Sequence, residues 1–162
     1  KNWEFHKLVK KSIRRKIKMI SSVPPYNTGK DFIYADYFMR AQEEENEQMG
    51  MYEEDKNRLF KNTDSNGRFH SDWCSMIYSR LMLARNLLAE DGVIFLSIDD
   101  NEQENLKRIL NDVFGESNYI ATIIRNTNSS KNQSQFVSVS HEYCVIYAKS
   151  IETLQIKHAE RK

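Results

Sequence analysis

Glycine and proline are scarce in this 162-residue chain. There are five glycines, none arranged as Gly-x-Gly, so the dinucleotide-binding fingerprint and the Walker A loop are both excluded. The two prolines are neighbours, Pro24 and Pro25. The two cysteines, Cys74 and Cys144, lie far apart with no Cys-x-x-Cys or His/Cys cluster around them, which argues against a disulfide framework or a zinc site. His141-Glu142 is not the start of a His-Glu-x-x-His helix, so no metal is implied. The chain has no signal-peptide pattern and no run of about 18 apolar residues, and the expectation is a cytoplasmic protein without a membrane segment. It begins with Lys1 rather than Met, which leads us to expect a start that has been cut.

The composition is that of one globular domain able to bury a core: 40% apolar and 29% charged. A net charge of +1 hides an uneven distribution. Residues 1–20 carry eight Lys or Arg against Glu4 alone, while 43–55 carry seven Asp or Glu and no base. The basic end is suited to phosphates, although a solvated helix and strand edge is the commoner reading of such a run.

The alternating run Arg15 to Ser21 reads as a strand, and it meets Val23-Pro24-Pro25-Tyr26-Asn27-Thr28-Gly29. Consecutive prolines forbid helix and sheet pairing, since neither nitrogen carries a proton and both φ angles are locked. The strand therefore stops at Val23, leaving two rigid carbonyls that no local donor claims. Tyr26 adds a flat face with a polar tip, and Asn27-Thr28-Gly29 reads as a tight turn. A strand end of this kind is suited to gripping a planar heterocycle.

Val23-Pro24-Pro25-Tyr26-Asn27-Thr28-Gly29, followed by Lys30-Asp31-Phe32-Ile33-Tyr34, resembles the Asp-Pro-Pro-Tyr motif of amino-methylating DNA methyltransferases. The longer run is similar to the modification (Mod) subunit of type III restriction systems, a β-class adenine-N6 methyltransferase. The resemblance covers roughly residues 3–150 and implies that Val23, Pro24, Pro25 and Tyr26 occupy the catalytic positions. In the family, the aspartate and a proline carbonyl accept hydrogen bonds from the adenine amino group, and the tyrosine stacks on the flipped-out base. Two acceptors are needed because the N6 lone pair is delocalised into the ring and must be drawn toward tetrahedral geometry. Here Val23 stands where the aspartate would be, and a valine side chain accepts nothing. Ser22 is a poor substitute, because adjacent strand residues point to opposite faces.

The rest of the chain predicts an α/β alternation. Asn2 to Ser12 reads as a short helix with Phe5, Leu8 and Val9 on one face. Residues 30–70 look irregular, and a structureless loop of that length in a compact domain argues for a functional or mobile segment. His70 reads as a local hydrogen-bonding residue beside a helix start. Ser71 and Asp72 are N-cap candidates for a helix whose stripe contains Trp73, Met76, Ile77, Ala84, Leu87 and Leu88, ended by Asp91-Gly92. Val93 to Ile98 reads as a strand buried on both faces. Asp99 and Asp100 then stand at its carboxyl end, as candidates for the cofactor side of the site. The competing role, N-capping of the next helix by Asp100 and Asn101, is the commoner one. That helix runs to Phe114 and is capped by Gly115. Strands follow over 119–125 and 141–149, and beyond Ser150 a polar tail (151–162) is expected to fray.

The expected architecture is therefore a partial S-adenosylmethionine-dependent methyltransferase fold, a Rossmann-like three-layer α/β sandwich. Parallel strands lie near 15–22, 93–98 and 119–125, the last strand is antiparallel, and one domain fills residues 1–150. A half-sheet leaves edges unpaired, which implies marginal stability or association. The resemblance implies S-adenosylmethionine as methyl donor and double-stranded DNA with a flipped adenine as substrate. It also implies a restriction subunit and the absent carboxy-terminal half of the enzyme as partners. Asn27 and the loop residues Lys131, Asn132 and Gln133 are the DNA-contact candidates, with a plain hairpin loop an equal reading for the last three. In the β-class the glycine-rich cofactor turn comes after the catalytic half. A chain without that turn is expected to be a methyltransferase fragment that does not methylate DNA alone. The alternative is a non-catalytic remnant or DNA-interaction module. A third reading, an RNA or small-molecule methyltransferase, fits the long Mod-like run from Asn27 to Asp36 less well.

Overall fold

A computed structural model describes residues 13–30, 32–34, 59–63, 65–127 and 139–155. The amino-terminal helix expected over 2–12, the acidic stretch 43–55 and the loop residues Lys131, Asn132 and Gln133 lie outside the described residues. The chain forms β1 (Ile17–Ser22), β2 (Phe32–Tyr34), β3 (Leu59–Lys61), α1 (Phe69–Leu87), β4 (Leu88–Ile98), α2 (Gln103–Phe114), β5 (Tyr119–Asn126) and β6 (His141–Ala148). A single 3-10 turn, Glu116–Asn118, separates α2 from β5.

Four strands make one sheet in the order β1-β4-β6-β5. β1 pairs parallel to β4, and β6 is antiparallel to both β4 and β5. Three strands therefore run one way, and the last strand is inserted between β4 and β5 against them. This is the mixed sheet of a partial Rossmann-like methyltransferase fold. Alternation along β4 buries Ile94, Leu96 and Ile98. They share one apolar cluster with Val145 and Tyr147 of β6, with Trp73, Met76, Ile77 and Leu81 of α1, and with Leu106, Leu110, Val113 and Phe114 of α2. Both helices thus cover the same face of the sheet. The described residues supply two of the three expected layers.

Within residues 30–70 the structure adds an antiparallel ribbon that the sequence reading lacked: Phe32 pairs with Lys61 and Tyr34 with Leu59. Ile33 anchors it, fully buried in the main core.

Both helix boundaries expected for α1 move. It starts at Phe69 with Arg68 in the cap position and no side-chain cap. The reason is local. Asn66 Oδ1 accepts the Arg68 amide at 2.9 Å and the Asn66 carbonyl accepts the Phe69 amide at 3.0 Å, so the chain is already turning. Ser71 and Asp72 consequently fall inside the first turn, where Ser71 Oγ donates to the Arg68 carbonyl and Asp72 pairs with Arg68. At the other end α1 passes into β4 with no intervening residue. Asp91 and Gly92 are strand residues, and Asp91 forms an exposed ion pair with Lys18 of β1. Gly92 is there for space: a Cβ would meet the Ala89 carbonyl oxygen at 2.9 Å and the Ile17 carbonyl oxygen at 3.0 Å, where the β1 register shifts. Gly115, at φ 92°, does end α2 as expected.

Residues past Ser150 do not fray immediately. The Ile151 amide donates to Asn118 Oδ1 at 2.8 Å and Thr153 Oγ1 to the Glu90 carbonyl at 2.8 Å. Among the described residues no helix is long and apolar enough to cross a membrane.

Cys74, half-buried on α1, gives a simple check of this packing. Burial, and then the Glu102 charge, push its thiol up to about 11. At pH 8 roughly one molecule in a thousand carries the reactive thiolate. Iodoacetamide at that pH should leave Cys74 unmodified in the folded chain, read by peptide mass spectrometry. Labelling as fast as in urea would show that α1 does not bury it.

Candidate active site

The parallel strands β1, β4 and β5 and the reversed β6 bring four short stretches to one edge of the sheet. β1 ends at Ser22 opposite Leu96, two residues before β4 ends. Tyr143 pairs with Ile98, and His141 with Asn126 at the end of β5. The diproline corner, Asp99 and Asp100, the end of β5 and the start of β6 therefore share the carboxyl edge. Open α/β sheets bind their ligands there.

At the corner, Val23 is 67% exposed while Pro24 is buried and Pro25 and Tyr26 are half-buried. Of the two carbonyls that no local donor claims, one finds a remote partner. Trp73 Nε1 donates to the Pro25 carbonyl at 2.8 Å, a donor that arrives from α1 and that no local reading of the turn reveals. Among the described residues no donor reaches the Pro24 carbonyl. The Tyr26 hydroxyl is pushed up by burial and then by the nearby Glu142 carboxylate, with Arg125 opposing the shift. Glu142 in turn pairs with Arg125 across β5 and β6. The phenol ring is half-buried and packs against the main core, with its tip near the Glu142–Arg125 pair.

The two aspartates are not equivalent. Both Asp99 oxygens are taken by Asn101, through its backbone amide at 3.0 Å and its side-chain amide at 2.8 Å. Burial, and beyond it the neighbouring Asp100 and Glu142, raise the Asp99 carboxyl, while the Asn101 bonds oppose this. Asp100 Oδ1 accepts the Tyr143 hydroxyl at 2.7 Å, and that hydroxyl lies 2.8 Å from His141 Nε2. The expected helix cap at Asp100 and Asn101 is absent. Glu102 occupies the cap position and its side chain bonds no backbone amide of the helix, because Asp99 and Asn101 form their own closed turn.

Asn101 bonds both oxygens of Asp99, whereas Tyr143 bonds only Oδ1 of the exposed Asp100. With no paired glycines to let backbone close on a ligand, these residues do not by themselves complete a cradle for S-adenosylmethionine. Among the described residues no group of three or more His, Cys, Asp or Glu is placed to hold a metal.

Asn27, a DNA-contact candidate, is instead buried, at φ 58°. Its side-chain amide donates to Glu102 Oε1 at 2.5 Å, and its oxygen accepts Asn62 Nδ2 at 2.8 Å. An asparagine turned inward and saturated by protein partners is not available to DNA. His70 reads in the sequence as a local hydrogen-bonding residue, but its partner is remote: Nδ1 lies 2.6 Å from Oε1 of Glu102, at the start of α2. The sequence reading missed Glu142, Arg125, Asn62 and Glu102 as site residues. Only the His141-Glu142-Tyr143 run offered a signal, through the family resemblance.

Comparison with known proteins is consistent with this arrangement. A DNA methylase family model matches residues 17–162. The Mod subunit of the type III restriction-modification enzyme EcoP15I from Escherichia coli is 38% identical over 154 residues, which is 94% of this chain and 24% of that protein. The EcoPI Mod subunit from Escherichia phage P1 is 41% identical over 151 residues, 92% of this chain and 23% of that protein. The type II methyltransferase M.KpnI from Klebsiella pneumoniae is 33% identical over 128 residues, 78% and 26% respectively. The chain spans about a quarter of the length of these curated relatives. With a family model covering nearly all of the sequence, this chain belongs to the DNA methylase family.

Proposed function

We propose that this chain is the acceptor-base half of a site-specific DNA methyltransferase of a restriction-modification system, which transfers a methyl group from S-adenosylmethionine to adenine N6. The observation that carries the reading is the Pro24-Pro25-Tyr26 corner at the carboxyl edge of the sheet, where β1 ends at Ser22 opposite Leu96. Its likeness to Mod subunits supports the choice of adenine and of a type III system with a restriction subunit as partner. In this reading the Tyr26 ring stacks on the flipped base, and the Pro24 carbonyl accepts a hydrogen bond from the amino group.

By itself the chain does not complete the reaction. Val23 supplies no second acceptor, and the residues at the corner do not by themselves cradle the methyl donor. The chain acts as a base-holding module, and transfer needs the remaining part of the enzyme. A non-catalytic DNA-interaction module is the second reading, favoured by the valine at position 23.

A labelled duplex with one adenine opposite an abasic site presents a base that costs little to extrude. The chain should prefer it over the fully paired duplex in fluorescence anisotropy. Tyr26→Ala should lose ~1–3 kcal/mol of that binding, the usual worth of one base stacked on an aromatic ring. Equal binding of both duplexes by the unaltered chain sinks the adenine reading.

A further inference from the structure

Behind the diproline corner lies a buried polar cluster that the proposed chemistry does not use. Glu102 is a carboxylate at 1% exposure, the first residue of the turn into α2. Oε1 accepts Asn27 Nδ2 at 2.5 Å and lies 2.6 Å from His70 Nδ1, and Oε2 accepts Asn105 Nδ2 at 2.7 Å. Asn62 closes the ring, donating to Asn27 Oδ1 at 2.8 Å and to the Phe69 carbonyl at 2.7 Å. A buried charge of this kind persists only when every lone pair that faces the protein finds a donor. Here the donors come from three elements at once: the turn after Tyr26, the start of α1 and α2.

Asn27 gives the cluster its significance. It directly follows Tyr26 and sits at φ 58°, a conformation that most L-residues avoid and that asparagine tolerates. The backbone leaving Tyr26 is therefore set by a residue whose side chain is held from α2. We infer that Glu102 is a positioning residue for the adenine site: acting through Asn27, its carboxylate fixes the exit of the turn and with it the plane of the Tyr26 ring. This rests on the reading of Tyr26 as the stacking residue. Glu102 touches neither base nor donor.

The inference separates from mere structural support through two variants and their combination. Glu102→Gln keeps size but brings an NH2 group into a site where three donors converge, so one contact must break. Asn27→Gly keeps the positive φ but cuts the link. Affinity for the duplex with the unpaired adenine is measured by anisotropy at a temperature where circular dichroism shows each variant fully folded. Each single variant should bind about tenfold more weakly, the effect of one lost charge-assisted hydrogen bond. The double variant should bind no more weakly than either, because both changes break the same link. Wild-type affinity in folded Glu102→Gln, or losses that simply multiply in the double variant, would overturn the inference. Should Glu102→Gln fail to fold, Asn27→Gly alone decides: unchanged affinity there also overturns it. If the unaltered chain shows no preference for the unpaired adenine, the adenine reading falls while positioning is still judged by NMR. Displaced Tyr26 ring resonances in Glu102→Gln then support positioning, and unmoved ones overturn it.

Discussion

Replacing Trp73 by alanine should be the most damaging single change in the chain, costing about 3–5 kcal/mol of folding free energy. Two effects add. The indole is fully buried in the cluster shared by α1, the sheet and Ile33, so its removal opens a large cavity. It is also the donor to the Pro25 carbonyl, which would be left without that partner at 2.8 Å. Trp73→Phe separates the two, since it keeps most of the volume and loses the bond. That variant should cost about 1 kcal/mol from the bond, plus a smaller packing term. Urea unfolding followed by circular dichroism gives both numbers under a two-state treatment. A loss below ~1 kcal/mol for the alanine variant would mean that α1 does not pack against the corner as described.

Val23→Asp should produce the largest functional change. In the proposed chemistry one of two acceptors for the amino group is missing, and position 23 is 67% exposed at the edge where that acceptor belongs. A carboxylate there costs little solvation, and it faces positive charge developing on N6 as the methyl group transfers. One preorganised partner at a developing charge is typically worth ~10²–10³ in rate. Transfer of labelled methyl groups to DNA by a full-length methyltransferase carrying this segment should rise by about that factor on Val23→Asp. The isolated chain should stay inactive in either form. Equal rates from the valine and aspartate forms of the full-length enzyme would show that position 23 does not contribute.

Much of the fold is written locally. The nearly continuous apolar run from Val93 to Ile98 gives the second half of β4, and Leu106, Leu110 and Val113 give α2 by their spacing. The antiparallel sense of β6 followed from the family resemblance and holds in the sheet. What was illegible depends on partners remote in the chain. Asp91-Gly92 has the chemistry of a helix terminus, but the glycine is needed because the Ile17 backbone crosses close to it. Ser71 and Asp72 are good capping residues that lose the role to a turn begun at Asn66. In the site, the Pro-Pro-Tyr corner stands out by composition alone. The Asn27–Glu102 contact joins residues 75 apart, and nothing in the sequence distinguishes Glu102 from an exposed acid at the first turn of a helix. The corner was readable because its rigidity is covalent, and its support was not, because that arises only when separate elements pack.

The junction of α1 and β4 has a mechanical consequence. Leu87 ends the helix and Leu88 begins the strand, so no loop residue separates the two. The slack lies just beyond the seam: from Ile17 to Met19 β1 advances two residues, while its partner advances five, from Leu88 to Val93. That bulge, where only the missing Cβ of Gly92 lets the backbone pass, can take up a change in length between helix and strand. The strand from Val93 onward then keeps the same side chains on the helix-covered face.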